Sequence, residues 1–119
     1  MNERFVDLAK RAAQYSKHRM RMGAVIVQKN RLVSFGANKC STHPRSTNAW
    51  RSVHAELDAL LNVPPERLNG GTVYVVRLTR TGLLATSRPC MDCQALLSSV
   101  GVRYMYYVNN ERTIVGEAL

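Results

Sequence analysis

Apolar residues recur at helical spacing near the start of the chain and form strand-length runs after it. The first stripe predicts an amphipathic helix from Asn2 to Tyr15, with Asn2 as its N-cap. Two apolar runs then flank Lys29-Asn30, a pair suited to a tight turn, and this pattern predicts a hairpin over residues 23–38. The residues of the helical stripe are Phe5, Leu8, Ala9, Ala12 and Ala13.

Helical and strand patterns alternate in the second half of the chain, beyond an aperiodic stretch that predicts a loop from Lys39 to Ser52. Ser52 is a suitable cap for a helix over residues 53–62, which Pro64-Pro65 would end. A strand, a helix and a second strand follow, and this order implies a parallel strand pair joined by a right-handed crossover. Their predicted ranges are Thr72–Leu78, Cys90–Val100 and Val102–Val108.

Length and composition indicate the class of protein. With 119 residues and a hydrophobic fraction of 45%, the chain has room for one domain, residues 1–119, with a modest core. It contains no apolar run of membrane-spanning length, and its first residues lack a signal-peptide pattern. Three cysteines do not make a disulfide framework. We therefore expect a cytoplasmic protein with no membrane partner.

The positive charge of the chain is concentrated before residue 54. Residues 1–53 contain eleven lysines and arginines against two acidic residues, a net charge of +9, whereas residues 54–119 contain six of each sign. A one-sided distribution of this kind indicates either a polyanionic or phosphate-bearing partner or a solvated basic surface.

Two short motifs contain the residues with the clearest chemistry. His54-Ala55-Glu56 opens one apolar helical run, and Cys90 and Cys93 open another. Residues three apart share a helix face, so both thiolates can reach one ion, with His54 as a nitrogen ligand. Three protein ligands leave a fourth position for water, which is the arrangement of a catalytic zinc site.

Glu56 favours a catalytic site over a structural one. A carboxylate beside three ligands is suited to activating a zinc-bound water, whereas a structural zinc site prefers four protein ligands. The alternative is a non-catalytic, zinc-stabilised nucleic-acid-binding module in which Glu56 is incidental.

Together the motifs H-A-E and P-C-M-D-C resemble the signature of the zinc-dependent cytidine/deoxycytidylate deaminase superfamily, H-x-E…P-C-x-x-C. The likeness extends over residues 23–108, and the runs H-A-E-L-D-A-L-L and R-P-C-M-D-C-Q-A-L-L are similar to those of small phage deaminases of the deoxycytidylate type. The resemblance implies Zn²⁺ held by His54, Cys90 and Cys93, with Glu56 as the catalytic proton carrier.

The resemblance also implies a fold, a quaternary structure and two substrate contacts. The expected fold class is α/β, a cytidine-deaminase-like three-layer α/β/α sandwich around a mixed sheet of about four to five strands with the last strands parallel. Members of the family are commonly homo-oligomers. Asn38 takes the position whose asparagine usually contacts the substrate sugar, with a turn asparagine bonding its own backbone as the alternative. The backbone of Ala55 is expected to bond the base.

The loop ahead of the first motif is expected to form one wall of the pocket. Trp50 is suited either to stacking on a base or, as a core aromatic, to covering the predicted helix that carries His54. Arg45 and Arg51 are suited to binding phosphate. Cys40 with His43 would make a second metal pair only with partners that the sequence does not provide.

The predicted reaction is the conversion of cytosine to uracil, and several substrate classes stay open. A cytosine nucleotide such as dCMP is favoured, because the likeness is to deoxycytidylate-type enzymes. Single-stranded DNA or RNA, as for APOBEC enzymes, is the alternative. A tRNA adenosine deaminase is disfavoured, because those relatives usually carry Met directly before the second cysteine, where this chain has Asp92.

Overall fold

A mixed β-sheet with helices on both faces forms the body of the protein. The computed structural model describes residues 1–16, 21–40, 52–60 and 63–119. Within these ranges, no helix is both long and apolar enough to span a bilayer. The helices there are α1 (Glu3–Gln14), α2 (Ala55–Leu60) and α3 (Met91–Ser99), with a 3₁₀ turn at Pro65–Arg67. The strands are, in chain order, β1 (Arg21–Gln28), β2 (Arg31–Ala37), β3 (Lys39–Cys40), β4 (Ser52–Val53), β5 (Thr72–Leu78), β6 (Leu84–Ala85), β7 (Tyr104–Val108) and β8 (Ile114–Ala118).

The main sheet has the strand order β2-β1-β5-β7-β8, and the short strand β6 pairs with β5. β5 and β7 are parallel, while the other pairs of this sheet are antiparallel. A separate ladder joins β3 to β4. The predicted α/β class, mixed sheet and parallel pair connected through α3 are therefore confirmed.

Alternating side chains give the sheet two apolar faces. Side chains of α1 cover one face, in a buried cluster that includes Phe5, Ala9 and Val76. The other face packs beneath α2 and α3, in a cluster that includes Ala59 and Leu97. The result is the three-layer sandwich that the resemblance implies.

The predicted first helix and hairpin are confirmed. Asn2 is the N-cap of α1, and its Oδ1 accepts a hydrogen bond from the N–H of Arg4 at 3.0 Å. Lys29 and Asn30 join β1 to β2, and their φ angles of 52° and 61° are the left-handed values that a two-residue hairpin turn requires.

The start of α2 differs from the prediction. Ser52 does not cap a helix that begins at Val53, because both residues form β4 and pair with β3, and the helix begins at Ala55. The carbonyl of His54 accepts the first helical bond, from the N–H of Asp58 at 2.9 Å. Backbone pairing with a distant segment decides this boundary, and a local cap signal does not report such pairing.

The last strand also differs from the prediction. The expected parallel pair, β5 and β7, is present, but the sequence predicts no strand beyond residue 108, and β8 there pairs antiparallel with β7. Residues 109–113 alone connect β7 to β8, whereas a parallel connection needs about a dozen residues or more. The connection is a hairpin, in which Arg112 has a φ of 61° and the N–H of Asn109 donates to the carbonyl of Thr113 at 2.9 Å.

Gly36 on β2 lets α2 approach the sheet closely. A Cβ at this position would lie 2.4 Å from the nitrogen of Ala59 and 2.6 Å from the carbonyl oxygen of Ala55. Ser34 marks the same contact, because its hydroxyl donates to the carbonyl of Ala59 at 2.6 Å. The helix that begins next to His54 is therefore seated on β2 by backbone contact.

Gly36→Ala should lower the free energy of unfolding by about 3 kcal/mol or more, because the added methyl overlaps backbone atoms that cannot rotate away. Ser34→Ala is the matched control on the same strand, and loss of its partly buried hydrogen bond should cost about 1 kcal/mol. Urea unfolding followed by circular dichroism measures both. An equal cost for the two variants would show that α2 has room to move off β2.

Candidate metal centre and active site

Three side chains from two distant segments meet in one cluster. The Nδ1 atom of His54 lies 3.3 Å from the Sγ atom of Cys93 and 3.6 Å from the Sγ atom of Cys90. The ligand atoms of the three residues all lie within 4.8 Å of one another. In the part of the chain that the structure describes, these residues form the group whose geometry can hold a metal ion.

The starts of two helices position these ligands. Cys90 is the N-cap of α3, and its Sγ accepts a hydrogen bond from the N–H of Cys93 at 3.4 Å. His54 immediately precedes α2, and α2 packs against α3. The C-x-x-C spacing therefore puts both sulfurs at one end of α3, next to the start of α2.

The separations of these atoms fit a tetrahedral zinc ion. Zn–S bonds of about 2.3 Å and Zn–N bonds of about 2.0 Å at a tetrahedral angle place nitrogen and sulfur roughly 3.5 Å apart. The two observed distances lie on either side of that value. One histidine and two cysteines are also ligands that zinc prefers, and they leave a fourth position open.

The electrostatics of the cluster favour a bound cation. Burial, followed by the charges of Glu56 and Cys90, raises the pKa of the Cys93 thiol far above its usual value. A coordinating thiol is deprotonated by its metal ion, so a cation at this centre reverses that effect. Metal binding should accordingly release protons and stabilise the folded chain.

Glu56 is a buried carboxyl beside the cluster but outside the ligand set. Its side chain is 2% exposed, and the Oε1 atom has no hydrogen-bond partner among the described residues. Burial raises the pKa of this carboxyl, against smaller opposing contributions from its own backbone N–H, from Cys93 and from His54. A buried oxygen without a partner is costly, and such atoms are typical of groups that serve a ligand or a reaction.

Asn38 follows β2 and joins three segments of the fold. Its buried Oδ1 accepts hydrogen bonds from the hydroxyl of Ser16 at 2.7 Å and from the N–H of Met22 at 2.8 Å. These bonds tie the ends of α1, β1 and β2 together, which goes beyond a turn asparagine bonding its own backbone. Ala55 is fully buried at the start of α2. The substrate contacts of Asn38 and Ala55 stay predictions.

The predicted contacts with base and phosphate lie outside the described residues. Trp50, Arg45 and Arg51 all fall within residues 41–51, between β3 and β4. The stretch predicted as a loop from Lys39 to Ser52 is nevertheless corrected at both ends, since its first and last residues form paired strands.

Ser87 is a positioning residue that the sequence analysis missed. Its hydroxyl donates to the carbonyl of Val75 at 2.7 Å and accepts from the N–H of Val108 at 2.8 Å. The N–H of Ser87 also donates to the carbonyl of Val108 at 3.0 Å. These bonds tie the segment before Cys90 to β5 and β7, and a single serine ahead of a motif carries no periodic signal that would predict them.

Arg88 makes a second interaction that the sequence analysis missed. Its guanidinium binds the carboxylate of Glu117 on β8, with Nη2–Oε1 at 2.8 Å and Nε–Oε2 at 3.3 Å. The hydroxyl of Tyr107 donates to the same carboxylate at 2.7 Å. The hydrogen bond from Arg88 is the main reason that the pKa of Glu117 lies below its usual value. β8 thereby holds the segment that leads into Cys90.

A cavity of about 340 Å³ opens beside β2. It is lined by residues of α1, β2 and α2, together with Asn38, and none of the three candidate ligands is among them.

The chain matches the model of one protein family over residues 1–109. That family is described as the cytidine and deoxycytidylate deaminase zinc-binding region. Among curated proteins, the chain is similar to the deoxycytidylate deaminase of Mycobacterium phage D29. The identity is 34% over 128 residues, and the match covers 89% of this chain and 92% of the relative.

Solved structures with the same fold include two deaminases. The dCMP deaminase of cyanophage S-TIM5 in apo form has 24% identity and a TM-score of 0.66, over 91% of this chain and 82% of that one. The cytidine deaminase of Burkholderia pseudomallei has 18% identity and a TM-score of 0.70, over 99% and 92%. At these identities the similarity establishes the fold, and it confirms the expected cytidine-deaminase-like sandwich.

Cys90→Ala should reduce the zinc content from about one ion per chain to a small fraction, because two remaining ligands hold zinc weakly. Cys40→Ala is the matched control, since it removes the cysteine that the sequence leaves outside the ligand set, and it should keep the metal. Elemental analysis of the purified proteins measures both. Full zinc occupancy in Cys90→Ala, or its loss in Cys40→Ala, would contradict the assignment.

Proposed function

The chain belongs to the cytidine and deoxycytidylate deaminase zinc-binding family, and from that premise we propose that it is a zinc-dependent hydrolytic deaminase that converts dCMP to dUMP. The observation that carries the proposal is the buried Glu56 carboxyl beside His54, Cys90 and Cys93. This arrangement contains the groups that hydrolytic deamination of a cytosine ring requires.

His54, Cys90 and Cys93 are the residues that would hold the zinc ion. Zinc held at this position would supply a Lewis acid that lowers the pKa of a water molecule to about 7. The protein's contribution is the open fourth position and the fixed ligand geometry described above.

Glu56 moves the protons of the reaction. Its carboxylate accepts a proton from the attacking water and delivers it to N3 of the cytosine ring, and it passes the second water proton to the exocyclic amine. The water oxygen bonds to C4, the bond between C4 and the amine nitrogen breaks, and ammonia leaves. C4 keeps the oxygen as the carbonyl of uracil. Burial of Glu56 suits this role, because bulk water does not compete for the transferred protons.

A deoxycytidine nucleotide is the substrate class with the best support. The relative from Mycobacterium phage D29 is a deoxycytidylate deaminase and aligns with most of this chain. The excess positive charge of residues 1–53 also favours an anionic substrate. Single-stranded DNA or RNA is the second candidate, because the same charge would suit a polyanion.

Other parts of the proposal come from the sequence and from the family. We propose that residues 1–119 form a single deaminase domain, that the protein is a homo-oligomer and that it acts in the cytoplasm. Asn38 is assigned to the substrate sugar and the backbone of Ala55 to the base. Trp50, Arg45 and Arg51 are assigned to the base and phosphate side of the pocket.

Glu56→Gln should keep its zinc and its fold but lose about 10²–10⁴-fold in turnover, because the amide cannot carry protons between water and the base. Glu66→Gln is the matched control, since it removes an exposed carboxylate on the 3₁₀ turn at Pro65–Arg67 and should leave turnover unchanged. Ammonia release from dCMP and zinc content measure the two properties separately. Turnover within tenfold of wild type would remove Glu56 from the mechanism.

The wild-type enzyme should deaminate dCMP faster than deoxycytidine, and it should act poorly on single-stranded DNA and RNA. Uracil formation is measured on all four substrates over a range of salt concentrations. For a polynucleotide substrate, each neutralised phosphate would add a slope of about −0.7 to log K against log salt. Equal rates on dCMP and deoxycytidine, with a steep salt dependence on oligonucleotides, would favour the second candidate.

A further inference from the structure

The helices α2 and α3 cover one face of the main sheet, and polar side chains lie at the end of that face. α2 lies over Gly36, and β1 connects the row of Gly36 to Val75 on β5. The next row on the same face consists of Asn38, Met22 and Arg77. The N–H of Asn38 donates to the carbonyl of Met22 at 3.1 Å, and Met22 is paired with Arg77.

Arg77 lies on the face that carries the metal centre. Side chains alternate along a strand, and Val73 and Val75 of β5 belong to the cluster beneath α2 and α3. Val76 and Leu78 belong to the cluster beneath α1. Arg77 therefore lies on the same face as α2 and α3. It stands at the carboxyl end of β5, and open α/β sheets bind their ligands at that end of their strands.

The hydrogen-bonding capacity of Arg77 is only partly used within the described ranges. Its Nη2 donates to the Oγ1 of Thr86 at 2.9 Å, whereas its buried Nε has no partner there. Thr86 lies four residues before Cys90, so this bond ties the guanidinium to the segment that leads to Cys90. Arg88, also on that segment, is already paired with Glu117 at 2.8 Å.

We propose that Arg77 binds the 5′-phosphate of the nucleotide substrate, with Thr86 orienting its guanidinium. The inference rests on the proposed function and assigns a specificity residue to it. A buried guanidinium N–H requires an acceptor, and phosphate oxygens match the planar fork of arginine donors. Arg77 lies one residue row beyond the row that α2 covers, on the sheet face that carries the metal centre. This offset suits a phosphate that the sugar separates from the base.

Arg77→Met tests this assignment, because it keeps the apolar stem of the side chain and removes the charge. We expect kcat/KM for dCMP to fall roughly ten- to a hundredfold, the size of a lost charge-assisted hydrogen bond to phosphate. Values for deoxycytidine should stay within about threefold, since that substrate has no phosphate. Arg77→Lys, which keeps the charge and loses the fork, should retain part of the preference.

Arg103→Met is the matched control, because it removes the same charge from an exposed position at the opposite end of the sheet. Its ratio of dCMP to deoxycytidine activity should equal that of wild type. Binding of dUMP and deoxyuridine, measured by calorimetry, gives a second readout: Arg77→Met should weaken dUMP binding alone.

The outcomes separate this inference from the proposed function. If wild type prefers dCMP and Arg77→Met keeps that preference, the phosphate assignment is wrong while the proposed function stands. If Arg77→Met loses both activities equally, Arg77 has a structural role only, and the assignment is again wrong. If wild type itself shows no preference for dCMP, the proposed nucleotide specificity and the assignment of Arg77 both fail.

Discussion

The chemistry proposed for this protein depends on two helix starts meeting closely enough for one histidine to reach two cysteine sulfurs. Zinc coordination tolerates only small errors in ligand distance, so α2 and α3 must be seated accurately. Gly36 lets the backbone of α2 pack directly against β2. Ser87 holds the segment before α3 through hydrogen bonds to Val75 on β5 and Val108 on β7. Loss of either contact would displace a metal ligand without deleting it. Gly36 and Ser87 therefore matter although neither is a ligand.

The sheet contributes to the site as well as supporting it. β5 and β7 run in parallel, so both carboxyl ends lie towards the starts of α2 and α3. Two arginines reach this end and have different environments. Arg88 is paired with Glu117, whose carboxylate also accepts a hydrogen bond from Tyr107. This ion pair links β8 to the segment before Cys90. Within the described ranges, the buried Nε of Arg77 has no hydrogen-bond partner.

Sequence alone determined the main elements and the candidate catalytic set, because their signals are local. Asn2 caps α1 through a bond to the second residue beyond it, and Lys29-Asn30 turns the chain through its own φ angles. The spacing of Cys90 and Cys93 places two thiols at one helix end whatever the rest of the fold does. The resemblance of the motifs to a known family adds His54 to these two thiols as the third ligand.

Tertiary structure alone decided the features whose partners are distant along the chain. Ser52 pairs with β3 instead of capping a helix, and Asn38 joins the ends of three segments. β8 turns back against β7 because its connection is short, and it supplies Glu117 to Arg88. The position of Arg77 on the sheet face beneath α2 and α3 follows from the register between β1 and β5. A residue's own periodicity reports which face it shares with its neighbours, but strand register decides which distant residues share that face with it.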